Sequence, residues 1–262
     1  MNSYLKLIIT LISLNFARES IYKVNFLLRF SEGIIRVIMY TLFYVVIYQN
    51  TYIGVKGWSF NQMLILLGTF ELIRAILFFL FISNLPKMED HIHSGSLDTL
   101  LLYPTNTQFM LSLNTFSLVR IFDIIPALCL VIIGLYRSGI SIQISAIIIY
   151  IVMIILGVIL CYSIWFSIMC IAFRAERVSS LQEGFINLYE IARYPANVYP
   201  ESIGRILTFI IPIIMSVTLP AQVFWGFDWK KAVTFFFLTV IWLVISRILF
   251  KRGLKIYRSS NG

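Results

Sequence analysis

Apolar runs of about 20 residues alternate with short polar stretches along most of this chain. That length matches the hydrocarbon core of a bilayer at the helical rise. The pattern predicts helices that cross lipid over residues 34–48, 60–83, 108–135, 143–173 and 232–250, with a further crossing between 174 and 226. Ahead of them, residues 4–32 have the period of an amphipathic helix lying on the membrane face. Arg18, Asn25, Arg29, Glu32 and Arg36 fall on one side, while Ile21, Val24, Leu28 and Ile35 fall on the other. The apolar run Leu7–Leu14 resembles a weak signal peptide, but no small-x-small cleavage site follows it, and it reads as retained. Pro126 predicts a kink in the third crossing.

The region 174–226 supports two readings. Plain hydropathy makes 174–200 a polar loop and 203–225 the fifth span. Alternatively, 178–194 is a polar-faced fifth span, and 195–226 is a pair of half-helices broken at Pro212 and Pro220 that dips into the outer leaflet. Both give an all-α polytopic membrane protein of six spans, a single transmembrane domain over 1–262. Both also put more Lys and Arg on the side of the two termini, which makes that side cytoplasmic. The excess is slightly larger for the plain reading.

Composition narrows the class further. Hydrophobic residues make up 60% and charged residues only 13%, more apolar surface than a soluble chain of this length can bury. The short alternating strands of a membrane barrel are absent. The net charge of +9 fits cytoplasmic loops beside anionic lipid headgroups, and no basic cluster carries exposed aromatics for nucleic acid. Cys129, Cys161 and Cys170 lie inside apolar runs without a CxxC and read as packing residues.

Chemistry concentrates in one polar interruption, Leu85–Pro104, which carries Lys87, Glu89, Asp90, Asp98 and both histidines, His91 and His93. The histidines with Asp90 lack a third or fourth ligand at a metal-site spacing, so no metal is expected. A membrane-embedded, lipid-modifying enzyme using Asp90, His91, His93 and Asp98 is the rival reading. The chain has no GxxxxGK[ST] phosphate loop, no HExxH and no GxSxG. Charges also stand inside the spans. Glu71 with Arg74 and Arg120 with Asp123 are each three residues apart on one helix face, which lets them pair. A mid-bilayer charge costs about 2.5–3.5 kcal/mol, so these four are expected to form one network between the second and third spans or to line a path. Glu183, Asn187 and Glu190 would join them under the half-helix reading.

The string Gly95–Pro104, matched at Gly95, Leu97, Asp98, Leu100, Leu101 and Pro104, resembles a segment of ABC-2 type permeases, the membrane subunits of ATP-binding-cassette exporters. Arg193–Gly226, with RYPANVYP, FIIP and LPAQVFWG, is similar to the tyrosine- and proline-punctuated C-terminal half of one branch of that family. The resemblance implies six helices, an N-terminal interfacial helix, a cytoplasmic coupling helix at 85–104 and a re-entrant outer segment at 195–226. It implies a working unit of two permease chains, identical or paralogous, and two separate ATPase chains that supply ATP and Mg. No cofactor is then expected in this chain, and its setting is lipid in a bacterial inner membrane. Lys87, Glu89, Asp90, His91, Gly95, Leu97, Asp98 and Leu101 become the expected contacts to the motor, with Leu97, Leu100 and Leu101 as apolar anchor. The transported species would be amphipathic or lipid-like, a peptide or a drug, moved outward by alternating access.

Overall fold

The computed structural model describes residues 10–11, 13–15, 23–50, 55, 57–175 and 179–257. The core is one helix. Helix α2, Phe60–Phe81, starts at a capping box in which Ser59 and Gln62 each bond the other's backbone N–H. From Met63 onward nearly every side chain is buried, as expected for a helix apolar on all sides. Helix α1, Lys23–Asn50, and helix α6, Ile124–Ser138, flank it. The approach of α6 is close because both surfaces are glycine. A Cβ at Gly68 would lie 2.8 Å from the Ala127 carbonyl, and one at Gly134 would lie 2.9 Å from that of Asn61. Helix α7, Ile144–Met169, packs on the long last helix α11, Trp229–Ile256, and on α10, Ile213–Gln222.

Five helical stretches are long and apolar enough to cross a membrane among the described residues: Leu27–Asn50, Phe60–Phe81, Leu118–Ser138, Ile144–Phe173 and Trp229–Ile256. The first departs from expectation. Helix α1 runs unbroken through residues 32–34, so an interfacial helix does not end there, and the part of 4–32 before Lys23 lies mostly outside the described residues. Arg36 turns toward α2 and the segment Leu118–Asp123, and the half-exposed Glu32 reaches that segment too, while Leu28 and Ile35 are exposed. A helix in lipid turns its buried cation toward protein, which inverts the orientation expected at a water surface.

The third crossing is not one helix over 108–135. Helix α5, Thr107–Leu113, stops; a non-helical stretch follows; a 3-10 segment, Leu118–Asp123, then leads into α6. Asn84, just past the end of α2, holds the break. Its Nδ2 donates to the carbonyls of Ser112 (2.9 Å) and Thr115 (2.6 Å), and its Oδ1 accepts from the Thr115 N–H and hydroxyl. Pro126 falls in the first turn of α6, where its missing N–H costs nothing, and not at a mid-helix kink. Asn84→Ala should strand these buried backbone groups and lower stability by on the order of 2 kcal/mol. Thermal unfolding in detergent checks this, and Asn84→Asp, which turns a carboxylate oxygen toward carbonyls that the amide now satisfies, should be no more stable than Asn84→Ala.

Helix α8, Ser179–Glu190, continues as a 3-10 turn, Ile191–Arg193, and is too short and polar to rank with the five apolar spans. Beyond it, residues 201–210 (α9, Glu201–Arg205, then one π turn) and α10 form a pair bent by 86° around Pro212. The pair enters and leaves at the same end of the bundle. Trp58 packs edge-on to Trp225 at 5.4 Å and also walls a cavity with Pro195–Asn197.

Candidate functional site

Two features stand out, one hanging from the end of α2 and one buried in the middle of the bundle.

At the end of α2 the polar stretch folds into a 3-10 turn, Leu85–Lys87, helix α3, Met88–His93, and helix α4, Leu97–Leu101. Gly95 makes the corner between α3 and α4 at φ 75°, a left-handed conformation that glycine adopts without strain. Met88, Ile92, Leu97 and Leu100 point into the protein's own core. Leu97 and Leu100 therefore cannot be the outward anchor expected of them. The exposed apolar groups are Leu101 and, beyond the matched string, Leu102 (84% exposed) and Tyr103. Lys87, Asp90 and His93 are exposed as well, with Glu89 and Asp98 partly so.

The segment touches several spans. Helix α3 packs on the 3-10 turn Cys170–Phe173 that ends the fourth crossing, and α4 packs on α5. Asp98 faces the hydroxyl of Tyr257 at the end of α11. Burial, aided by that carboxylate, raises the phenol above its ordinary pKa. His91 Nδ1 lies 2.9 Å from Ser96 Oγ, and burial holds the imidazole below its ordinary value. No three His, Cys, Asp or Glu side chains converge as metal ligands among the described residues, so Asp90, His91, His93 and Asp98 are not gathered into one centre.

The buried feature is an ionic network around Arg36. Its guanidinium bonds Glu71 and Asp123, both at 3.3 Å, and reaches Glu32 one turn before it. Arg74 lies 3.8 Å from Glu71 and 3.9 Å from Glu190; Arg120 bridges Glu32 (3.3 Å) and Asp123 (3.5 Å); Arg193 meets Glu190 at 3.4 Å. Four arginines thus face four carboxylates, and Glu71 is fully buried. Aromatic rings cover the cations: Arg74 sits 4.8 Å over Phe78 and Arg193 sits 4.4 Å over Tyr40. A Cβ on Gly33 would run into the Asp123 carboxylate, so the bare glycine lets that side chain reach α1.

Tyrosines tie α8 into the same region. Tyr40 bonds Glu190 at 3.0 Å, the Tyr44 hydroxyl donates to the Arg193 carbonyl, and Tyr189, stacked on Phe70, donates to the Phe70 carbonyl.

The expected pairs Glu71–Arg74 and Arg120–Asp123 are both present, but neither closes the network alone. Arg36 and Glu32, whose period places them on a surface helix, and Arg193, at the end of the polar stretch, are all members. Glu183 and Asn187 are exposed on the far face of α8 and take no part.

A family model for the ABC-2 family transporter protein matches residues 34–261, which takes in four of the five apolar spans whole, most of the first, and the bent pair. The chain belongs to the ABC-2 transporter family. Comparison with curated proteins and with solved structures brought no match. The ABC-2 permease is a multi-pass membrane subunit of an ATP-binding-cassette transporter, a class that works with an ABC ATPase. Within this permease the string Gly95–Leu101 acquires a structural account. Its glycine turns the corner, its two inward leucines clamp the segment to the bundle, and its aspartate meets the last helix.

Proposed function

We propose that this permease carries an amphipathic or lipid-like solute, peptide or drug outward across a bacterial inner membrane, driven by an ATPase bound at Leu85–Pro104. The observation that carries the reading is mechanical. One short helical segment continues from the second span, packs on the end of the fourth and faces the end of the last. A push on it tilts three spans as a rigid body, and the Arg36 network passes the movement to the first and third spans and to α8. Leu101–Tyr103 supplies an exposed apolar tip, with Lys87 and Asp90 as a charged rim. Two such chains with two ATPase chains would enclose the path, opening alternately to each side.

The six-crossing arrangement follows if α8 with its 3-10 turn is the fifth, thin crossing and the pair 201–222 fills the outer half of the bilayer. The termini and Leu102 are then cytoplasmic and Asn197 is external. In a background without Cys129, Cys161 and Cys170, an impermeant thiol reagent should label a cysteine at Asn197 in intact cells. It should label one at Leu102 only after the membrane is opened. The reverse pattern, or labelling of both from one side, contradicts the arrangement. The purified chain should not hydrolyse ATP, whereas its complex with the motor should couple hydrolysis to outward movement of a fluorescent amphiphile in reconstituted vesicles. Movement without nucleotide would remove the exporter reading.

A further inference from the structure

The eight charges around Arg36 are matched one to one, but the guanidinium of Arg247 on α11 is not. Its Nη1 donates to two neutral amides, Asn106 Oδ1 at 2.9 Å and Gln108 Oε1 at 3.1 Å. Among the described residues Nε and Nη2 meet no acceptor, and no carboxylate lies within ion-pair distance. The amides fix the group in place without neutralising it.

Arg247 stands at one end of a cavity of about 510 Å³, and among the described residues it is the one charged group that lines it. The walls are apolar: Phe81 and Leu113 on one side, Leu243 and Val244 on the other. Tyr162, at the base, shares its hydroxyl with Ser112 (2.8 Å) and Gln108 (3.3 Å), so the neutral polar groups satisfy one another and leave the guanidinium as the remaining attraction. Leu243 and Val244 are half-exposed on a membrane-crossing helix, so the cavity opens sideways toward lipid. One turn past Arg247 the exposed Lys251 adds a second positive charge nearer the helix end.

We infer that this cavity binds one anionic phospholipid, its phosphate on Arg247 and its acyl chains along Leu243, Val244 and Phe81. The match is chemical: a fixed cation without a counter-ion, at the end of an apolar slot, at the depth where a crossing helix leaves the hydrocarbon. A zwitterionic lipid carries its own cation beside the phosphate and gains less. A soluble phosphate cannot use the apolar walls. The site does not depend on the direction of transport or on the ATPase.

The test uses the purified, delipidated permease and native mass spectrometry. It is titrated with phosphatidylglycerol, with phosphatidylcholine of the same acyl chains, and with glycerol phosphate as the headgroup alone. The first should bind about five- to tenfold more tightly than the second, and the third should not compete. Arg247→Gln should abolish the preference, Arg247→Lys should keep part of it, and Val244→Trp should weaken binding by filling the slot while leaving the amide contacts intact. Lys230→Gln, an exposed cation at the other end of α11, should change nothing. Equal binding of the two lipids, a preference that survives Arg247→Gln or Val244→Trp, competition by glycerol phosphate, or an equal loss in Lys230→Gln would each overturn the inference. If Arg247→Gln does not run as a single species on gel filtration, Val244→Trp decides.

Discussion

Arg36→Ala should be the most damaging single substitution in the bundle. It removes the cation shared by Glu71, Asp123 and Glu32 and leaves the fully buried Glu71 with Arg74 alone, 3.8 Å away. Breaking a buried ion pair from one side costs about 3–5 kcal/mol, because the remaining charge stays desolvated. The expected result is a large drop in thermal stability and in folded yield. Arg36→Lys should recover only part, since a point charge cannot reach two carboxylates in the fork geometry of a guanidinium. Adding Glu71→Gln to Arg36→Ala should also restore part of the loss, because the stranded charge is gone. Strictly additive losses in that cycle would show that the two side chains do not interact.

The second large effect concerns the exposed tip. Leu102→Asp with Tyr103→Asp should leave folding intact, shifting stability by about 0.5 kcal/mol or less, because neither side chain is buried. Capture of the ATPase should fall by well over tenfold, as expected for loss of an apolar interface anchor worth about 2 kcal/mol or more. Leu97→Asp is the contrast. Leu97 is completely buried, so that change should damage the fold itself. Lost ATPase capture by the tip variant, with unfolding confined to Leu97→Asp, separates docking from packing within one short segment.

Much of the bundle is legible in the sequence. The second, fourth and last spans are long apolar runs without breaks, and hydropathy alone locates them. The third is not, because its interruption is held by Asn84, a residue in the turn after α2 whose amide competes for the backbone of Ser112–Thr115. Propensity within 108–135 carries no trace of it. Arg36 was passed over for a different reason. Its period with Glu32 and Arg29 is that of any amphipathic helix, and period does not say whether the polar side meets water or protein.

The string Gly95–Pro104 shows the reverse case. Leu97, Leu100 and Leu101 look alike in sequence, and helical spacing puts all three on one side. The helix ends at Leu101, so only the first two are covered by the bundle, and the outward apolar surface moves on to Leu101–Tyr103. Glu183 and Asn187 were grouped with Glu190 by polarity. The structure separates them because Phe185 and Tyr189 set the inward face of α8. The network as a whole needs four chain segments brought together, and no local pattern encodes that.

The most direct test of the account is a contact at Leu102. A single cysteine there, in a background lacking Cys129, Cys161 and Cys170, is paired with a bifunctional thiol reagent and the co-expressed ATPase. A permease–ATPase cross-link should form from Leu102, and none from a cysteine at Asn197. A cross-link from Asn197, or none from Leu102 in a complex that still hydrolyses ATP, would contradict it.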